Sequence, residues 1–176
     1  VTTYCYCDWP LGRLLLVASD GALLGVHFVD GRYAQPVDPA WRRDDEAAPL
    51  RQASTQLREY WTGARREFDL RLDLRGTAFQ LRVWNEIAGI PFGETISYAE
   101  LARRSGAPHA VRAAGLATGR NPISIVIPCH RVVGSRGSLT GYGGGLQRKR
   151  ALLDFEADRA RGSNVTLAPA DLFAMP

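Results

Sequence analysis

Cys129 is the residue around which this sequence can do chemistry. It ends an apolar run, Asn121-Pro-Ile-Ser-Ile-Val-Ile-Pro-Cys129, and is followed at once by His130 and Arg131. A solitary cysteine is ordinarily a small buried hydrophobe. Its neighbours argue for more, because positive charge beside a thiol lowers its pKa and raises the thiolate fraction. A thiolate is the soft nucleophile that attack on an alkyl carbon requires. In extended backbone, adjacent side chains point to opposite faces, so His130 is expected to reach the sulfur only through a water. A thiol hydrolase needs its histidine against the sulfur, whereas a relayed histidine suffices for a thiol deprotonated once. Glu156, the only glutamate after Glu100, is the candidate to orient His130. The plainer reading of Glu156 is a solvated charge at a helix end. A carboxylate near the imidazole would favour the imidazolium and predicts more thiolate than in a free cysteine.

Gly134, Gly137, Gly141, Gly143, Gly144 and Gly145 punctuate the segment around Tyr142. Such a density allows tight turns and close approach to a flat ligand. Neither the dinucleotide nor the P-loop glycine pattern is present. Residues 103–150 contain nine basic residues and no acidic one, whereas residues 1–75 hold ten arginines against eleven acidic residues. A one-sign stretch suggests a polyanionic partner; the alternative is a solvated basic face. The triplet Arg148, Lys149 and Arg150 offers itself to phosphate.

These groups need elements to hold them. Residues 13–18 and 23–28 read as strands around a turn at Ser19-Asp20-Gly21-Ala22. Residues 33–49 look irregular. Leu50, Ala53, Leu57, Tyr60 and Trp61 fall on one helix face that stops at Gly63. Phe68, Leu70, Leu72 and Leu74 alternate with charged residues, the pattern of a half-buried strand. The charge balance changes at Gly76, which marks a boundary between domains over 1–75 and 76–176. Thr77 and Gln80 form a capping box for a helix with Phe79, Val83, Trp84 and Ile87 on its apolar face. Ser97 and Glu100 form a second box, for a short helix through Arg104. The turn Ser105-Gly106-Ala107 and Pro108, expected in the first turn of the next helix, complete a helix-turn-helix pattern. On its second helix Ala110, Ala113, Ala114 and Ala117 make a small-residue face that would admit a neighbouring helix or a nucleic-acid backbone. Arg112 projects from the other side. Residues 146–156 read as a final helix.

With 176 residues, 45% hydrophobic and 23% charged, the composition is that of a globular protein. No apolar run approaches a membrane span. The N-terminus lacks the order of a signal peptide, and an odd cysteine count then points to free thiols in the cytoplasm. Cys5 and Cys7, with His27 the nearest further ligand, make half a zinc site at best.

Pro128-Cys129-His130-Arg131-Val132, with Asn121-Pro122 upstream and Tyr142-Gly143-Gly144-Gly145-Leu146 downstream, resembles the O6-alkylguanine-DNA alkyltransferase family. The likeness runs from about Thr77 to Glu156, includes Gly93-Glu94-Thr95-Ile96-Ser97-Tyr98, and is weak before residue 70. It implies an α/β (α+β) fold: a small ribonuclease H-like sheet-plus-helix domain, then a mostly helical, winged-helix-like domain with a helix-turn-helix. It implies direct-reversal DNA repair, with irreversible, stoichiometric transfer of a methyl or other alkyl group from O6 of guanine, or O4 of thymine, to Cys129. In that scheme His130 takes the thiol proton through a water, Glu156 orients His130, Asn121 braces the turn and Tyr98 donates to the guanine ring. Arg112 fills the gap left by a flipped nucleotide, and Ser97 and Ala113 lie on the helix-turn-helix in the minor groove. Val132, Tyr142, Gly143 and Gly144 line the base pocket. Flipping is needed because stacking hides O6.

The resemblance implies no cofactor and no metal. The partner is double-stranded DNA containing O6-alkylguanine, bound by a monomer that needs no protein partner, with room for cooperative assembly on DNA. Gly143 stands where some relatives carry serine, and Ser19 and Leu24 stand at the zinc-ligand positions of others. A lesion sensor without transfer and a Cys-His-Glu hydrolase are the competing functions.

Overall fold

A computed structural model describes residues 1–162; the end of the expected second domain, residues 163–176, lies outside the described residues. The chain forms two compact units. One comprises Val1–Arg75 with Pro122–Val126; the other comprises Gly76–Asn121 and the chain from Ile127 onward. The boundary after Arg75 coincides with the change in charge balance, but five residues just before the Cys129 motif pack with the first unit.

In the first unit, β1 (Thr3–Trp9), β2 (Gly12–Ser19) and β3 (Ala22–Phe28) form an antiparallel meander. Asp20 and Gly21 both take positive φ, 50° and 77°, which suits the two-residue hairpin turn whose twist matches its strands. The expected irregular stretch contains a two-residue strand, β4 (Arg42–Arg43), parallel to β1, so the order is β3-β2-β1-β4. Helix α1 (Ala48–Thr62) starts two residues before its first apolar position, with Pro49 in its first turn, and ends at a left-handed Gly63. Its buried residues are Leu50, Ala53, Leu57, Tyr60 and Trp61, the stripe that the spacing predicts. The stripe meets the sheet face carrying Cys7 and Trp9: the Trp9 indole donates to Leu57 O at 3.1 Å, and Cys7 Sγ lies 3.3 Å from Ser54 Oγ.

Residues 68–74 do not form the expected strand. They are half-buried in alternation, but a single bridge joins Leu72 to Leu23. Ile123 makes a similar bridge to Val26, with Val26 N donating to Pro122 O and Ser124 N to Val26 O. These two segments satisfy parts of the outer edge of β3, which would otherwise present unpaired backbone groups. In the strand register Cys5 and Cys7 lie opposite Leu16 and Leu14, while His27 lies opposite Leu15. His27 therefore faces the other side of the sheet from the two cysteines. Among the described residues no group of three His, Cys, Asp or Glu is placed to hold a metal ion.

The second unit contains α2 (Ala78–Ala88), β5 (Ile96–Ser97), α3 (Tyr98–Arg104), α4 (Val111–Gly119), β6 (Val132–Val133) and α5 (Leu146–Ala160). Thr77 and Gln80 make both bonds of the predicted capping box. The second box is half made: Ser97 accepts from Glu100 N, but the Glu100 carboxylate turns to Arg103 and Arg104. Pro108 sits in the turn before α4 instead of inside the helix, which begins at Val111.

The alanines of α4 divide. Ala114 and Ala117 are buried, and Ala117 O accepts the Trp84 indole N–H at 2.8 Å, so these two serve helix packing. Ala113, Arg112 and Leu116 face outward. Val83, Trp84, Ile87, Leu101, Ala114, Leu152 and Phe155 supply the core of this unit. Among the described residues no helix is long and apolar enough to cross a membrane.

Candidate active site

Cys129, His130 and Arg131 occupy a single 3₁₀ turn, and all three are buried. The sequence reading placed them in extended backbone. The tighter turn follows from Pro128 (φ −80°, ψ 64°), with Cys129 N donating to Ile127 O at 2.8 Å. Asn121 holds the approach to it: its side-chain amide donates to Ile127 O at 2.8 Å, and the side chain also hydrogen-bonds Cys129. Four residues earlier Ile125, fully buried, takes φ +73°, a conformation that β-branched residues rarely adopt. The segment leading to the thiol is thus held in a strained path by its surroundings.

His130 and Glu156 meet although 26 positions separate them. The imidazole Nε2–H donates to Glu156 Oε1 at 2.8 Å, and both side chains are inaccessible to solvent. That bond fixes the tautomer and leaves Nδ1 with its lone pair. Nδ1 is buried and has no hydrogen-bond partner among the described residues. Arg131 completes the cluster. Its Nε and Nη2 reach the Glu156 carboxylate at 2.9 Å, and its Nη1 donates to Ile90 O. Gly93 N adds a bond to Glu156 Oε2 at 3.1 Å. Gly93 has φ +80°, and a Cβ there would lie 2.8 Å from the Ala160 Cβ, so glycine is required by both conformation and space.

Charge follows from these contacts. Burial alone would raise the Glu156 carboxyl, but His130 and Arg131 outweigh it and hold the group well below the usual carboxylate range. Burial holds His130 below its ordinary value, against the opposing pull of Glu156. Burial pushes the Cys129 thiol up, against the Asn121 hydrogen bond and the charge of Lys149. The resting pair is therefore a thiol and a neutral imidazole. This corrects the expectation of an enriched thiolate: Glu156 is already neutralised by Arg131, and desolvation decides the rest. The geometry suits a base that accepts a proton as the sulfur reacts.

Lys149 is also fully buried, so it is not the phosphate ligand that its basic triplet suggested. Its ammonium donates to Val132 O at 2.6 Å and Thr140 O at 3.0 Å, with Tyr98 Oη at 3.4 Å, and burial brings it down to about 8. It ties β6, which follows the cysteine turn, to the glycine-rich loop. The Tyr98 hydroxyl donates to Thr140 O at 2.9 Å. Ile96 and Ser97 pair in parallel with Val132 and Val133, which sets the start of α3 beside the cysteine turn. Tyr142 and Gly144 are buried and Gly143 half-buried. Gly145 takes φ +93° to turn the loop into α5.

Of the predicted site residues, Cys129, His130, Glu156, Asn121, Tyr98, Val132, Tyr142, Gly143 and Gly144 lie in or beside this cluster. Arg112 and Ala113 lie apart on the outer face of α4, and Ser97 is engaged as the cap of α3. The roles of Arg131, Lys149 and Gly93 were not read from the sequence. The basic stretch is also less exposed than its composition implies. Arg103 and Arg104 pair with Glu100, Arg131 with Glu156, and Lys149 is buried. Arg112, Arg120, Arg136 and Arg150 remain exposed.

Fold and site together define a helix-turn-helix protein with a buried thiol next in the chain to a buried histidine–carboxylate pair. Residues 2–74 match the family model "6-O-methylguanine DNA methyltransferase, ribonuclease-like domain", and residues 78–158 match the "6-O-methylguanine DNA methyltransferase, DNA binding domain". The chain is 48% identical over 169 residues to a methylated-DNA--protein-cysteine methyltransferase of Mycobacterium tuberculosis, covering 96% of each. It is 44% identical over 153 residues to one from Methanosarcina acetivorans, covering 87% of this chain and 97% of that one. The crystal structure of Mycobacterium tuberculosis OGT in complex with DNA superimposes with a TM-score of 0.85 at 44% identity, covering 97% of this chain and 99% of that one. The chain belongs to the 6-O-methylguanine DNA methyltransferase family.

Proposed function

We propose that this protein repairs DNA by direct reversal: Cys129 takes a methyl or other alkyl group from O6 of guanine, and by the same chemistry from O4 of thymine. The observation that carries the reading is the buried turn in which Cys129 precedes a histidine whose Nε2–H is committed to Glu156 and whose Nδ1 is free to accept a proton. In the transfer, the sulfur forms a bond to the alkyl carbon as the carbon–O6 bond breaks. The thiol proton passes to His130 Nδ1 through a water, and the electron pair leaves with the guanine. Tyr98 exchanges its bond to Thr140 O for one to the departing ring, whose anion takes up a proton from solvent while the His130 imidazolium returns the thiol's proton to solvent. Glu156 orients His130, while burial and the charge of Arg131 keep the resting imidazole neutral. The thioether has no easy route back to a thiol, so each molecule acts once.

In this reading the outer face of α4 enters the minor groove, and Ala113 permits close approach. Arg112, which makes no ion pair among the described residues, occupies the space of the flipped nucleotide. Val132 and the backbone of Gly143 and Gly144 border the base. The protein works as a monomer on double-stranded DNA, without metal or cofactor, in the cytoplasm, where a thiol acceptor stays reduced. Incubation with a duplex containing O6-methylguanine, followed by peptide mapping, tests the reading. One methyl on Cys129, lost in Cys129→Ala while DNA binding persists, is the expected result; repeated turnover or methylation elsewhere contradicts it.

A further inference from the structure

Ile125 stands at a sharp bend on the way to the thiol. Ser124 N donates to Val26 O at 3.1 Å, and Val126 N donates back to Ser124 O at 2.9 Å. With φ +73° at Ile125 between them, that second bond closes a three-residue γ-turn of the positive-φ kind, the rare and strained one. Another γ-turn follows. Cys129 N donates to Ile127 O at 2.8 Å across Pro128, whose φ of −80° and ψ of 64° belong to the relaxed inverse form. Ile123, Ile125 and Ile127 are buried in alternation, a pattern that would suit a straight strand. The chain bends at the middle one instead, although positive φ is an outlier for a β-branched residue. Glycine would hold the same bend without that penalty.

We infer that Ile125 is a positioning residue for alkyl transfer: its buried side chain holds the strained turn that aims the Cys129 sulfur at the alkyl carbon. The inference rests on the transfer to Cys129 proposed above and extends it to a residue that touches no substrate. Ile125 is 0% exposed, so the burial of its side chain, and not backbone preference, keeps the bend. Two residues on, Ile127 O is the joint between this bend and the cysteine turn. It accepts from Cys129 N and from the Asn121 side-chain amide, both at 2.8 Å. Relaxation of Ile125 to negative φ would turn Ile127 O away from Asn121 and carry Cys129 with it. Sulfur, alkyl carbon and leaving oxygen must lie in line, and a small misplacement of a reacting atom removes much of the rate.

The test compares Ile125→Val, Ile125→Ala and Ile125→Gly. Folded protein is titrated with free O6-benzylguanine, which separates the maximal rate of transfer from the half-saturating concentration. Valine keeps the branched anchor and should match the wild type. Alanine loses the anchor but keeps the penalty of an L side chain at positive φ, whereas glycine loses both. The maximal rate should therefore fall most in Ile125→Ala and recover by about tenfold in Ile125→Gly, the factor to which that penalty corresponds. The half-saturating concentration should stay at the wild-type value, because the base pocket is untouched. A role in packing alone predicts the reverse order, glycine below alanine, because losses then follow the volume removed. That order overturns the inference. So do wild-type maximal rates in every variant, losses carried by the half-saturating concentration, or an Ile125→Gly chain that does not fold. If Ile125→Ala alone fails to fold, Ile125→Gly carries the test: a lowered maximal rate at unchanged half-saturation is expected, and a wild-type rate overturns the inference. The wild-type arm separates the two readings. If it transfers no alkyl group, the proposed function fails; if it transfers normally and the variants keep its rate or follow volume, only the role of Ile125 fails.

Discussion

Glu156→Gln is predicted to destabilise the protein strongly, and Arg131→Met is predicted to relieve that effect. The Glu156 carboxylate accepts from Arg131 Nε and Nη2, both at 2.9 Å, from His130 Nε2 at 2.8 Å and from Gly93 N at 3.1 Å, with no solvent access. Its neutral replacement leaves the Arg131 guanidinium, 5% exposed, with its charge uncompensated. Removing one partner of a buried pair costs roughly 3–5 kcal/mol. At roughly 2–4 °C per kcal/mol for a chain of this size, the melting temperature should fall by about 10 °C. Replacing both partners removes the orphaned charge, so the double variant should be more stable than the sum of the single losses predicts, by about 2 kcal/mol. Urea denaturation of the wild type, both single variants and the double variant at neutral pH measures this coupling. Additive losses would refute the claim that the two side chains form one unit. The pair also predicts a pH dependence. The folded carboxyl is more acidic than its unfolded value of 4.5, so its stabilisation is present above that value and lost as pH falls below it. Glu156→Gln should flatten that part of the acid-side decline.

The remaining predictions address the thiol, the loop brace and the DNA surface. Because burial raises the Cys129 thiol, a small thiol reagent should react with it more slowly than with free cysteine at neutral pH. The gap should narrow only at high pH; a faster reaction at neutrality would restore the enriched thiolate. Lys149→Met removes the donor shared by Val132 O and Thr140 O and should slow reaction with free O6-benzylguanine about tenfold, one lost transition-state contribution of about 1.4 kcal/mol. An unchanged rate would make the brace dispensable. Arg112→Ala should slow repair of duplex far more than reaction with the free base, because extrusion costs a few kcal/mol only in duplex. Equal losses on both would make Arg112 structural. With Arg112, Arg120, Arg136 and Arg150 as the exposed cations of residues 103–150 that make no ion pair among the described residues, the logarithm of affinity should fall with the logarithm of salt at a slope no steeper than about −4.

Legibility followed the range of the interactions. The apolar stripe of α1, the Asp20-Gly21 turn and the Thr77–Gln80 box are local, and each stands where its spacing places it. The alternation of Phe68, Leu70, Leu72 and Leu74 correctly marks a half-buried segment, but alternation carries no information about a partner strand, and only Leu72 finds one. Ala113, Ala114 and Ala117 look alike in sequence; Trp84 on α2 decides which of them is buried. The cysteine motif was legible because its residues are contiguous. Glu156 was legible only as a candidate, since its depth depends on α5 packing on the turn. Arg131 read as positive charge beside the thiol and Lys149 as a phosphate ligand, because a sequence reports charge and not burial. Each proved to be held by groups distant in the chain, Arg131 by Ile90 and Glu156, Lys149 by Val132 and Thr140.

Intact mass spectrometry with limiting protein and excess O6-methylguanine duplex tests the central claim most directly. The account predicts that every molecule gains one CH₂ and then stops, that the gain maps to Cys129, and that the guanine restored equals the protein consumed. Restored guanine in excess of protein, or protein unchanged in mass after the lesion disappears, would contradict it.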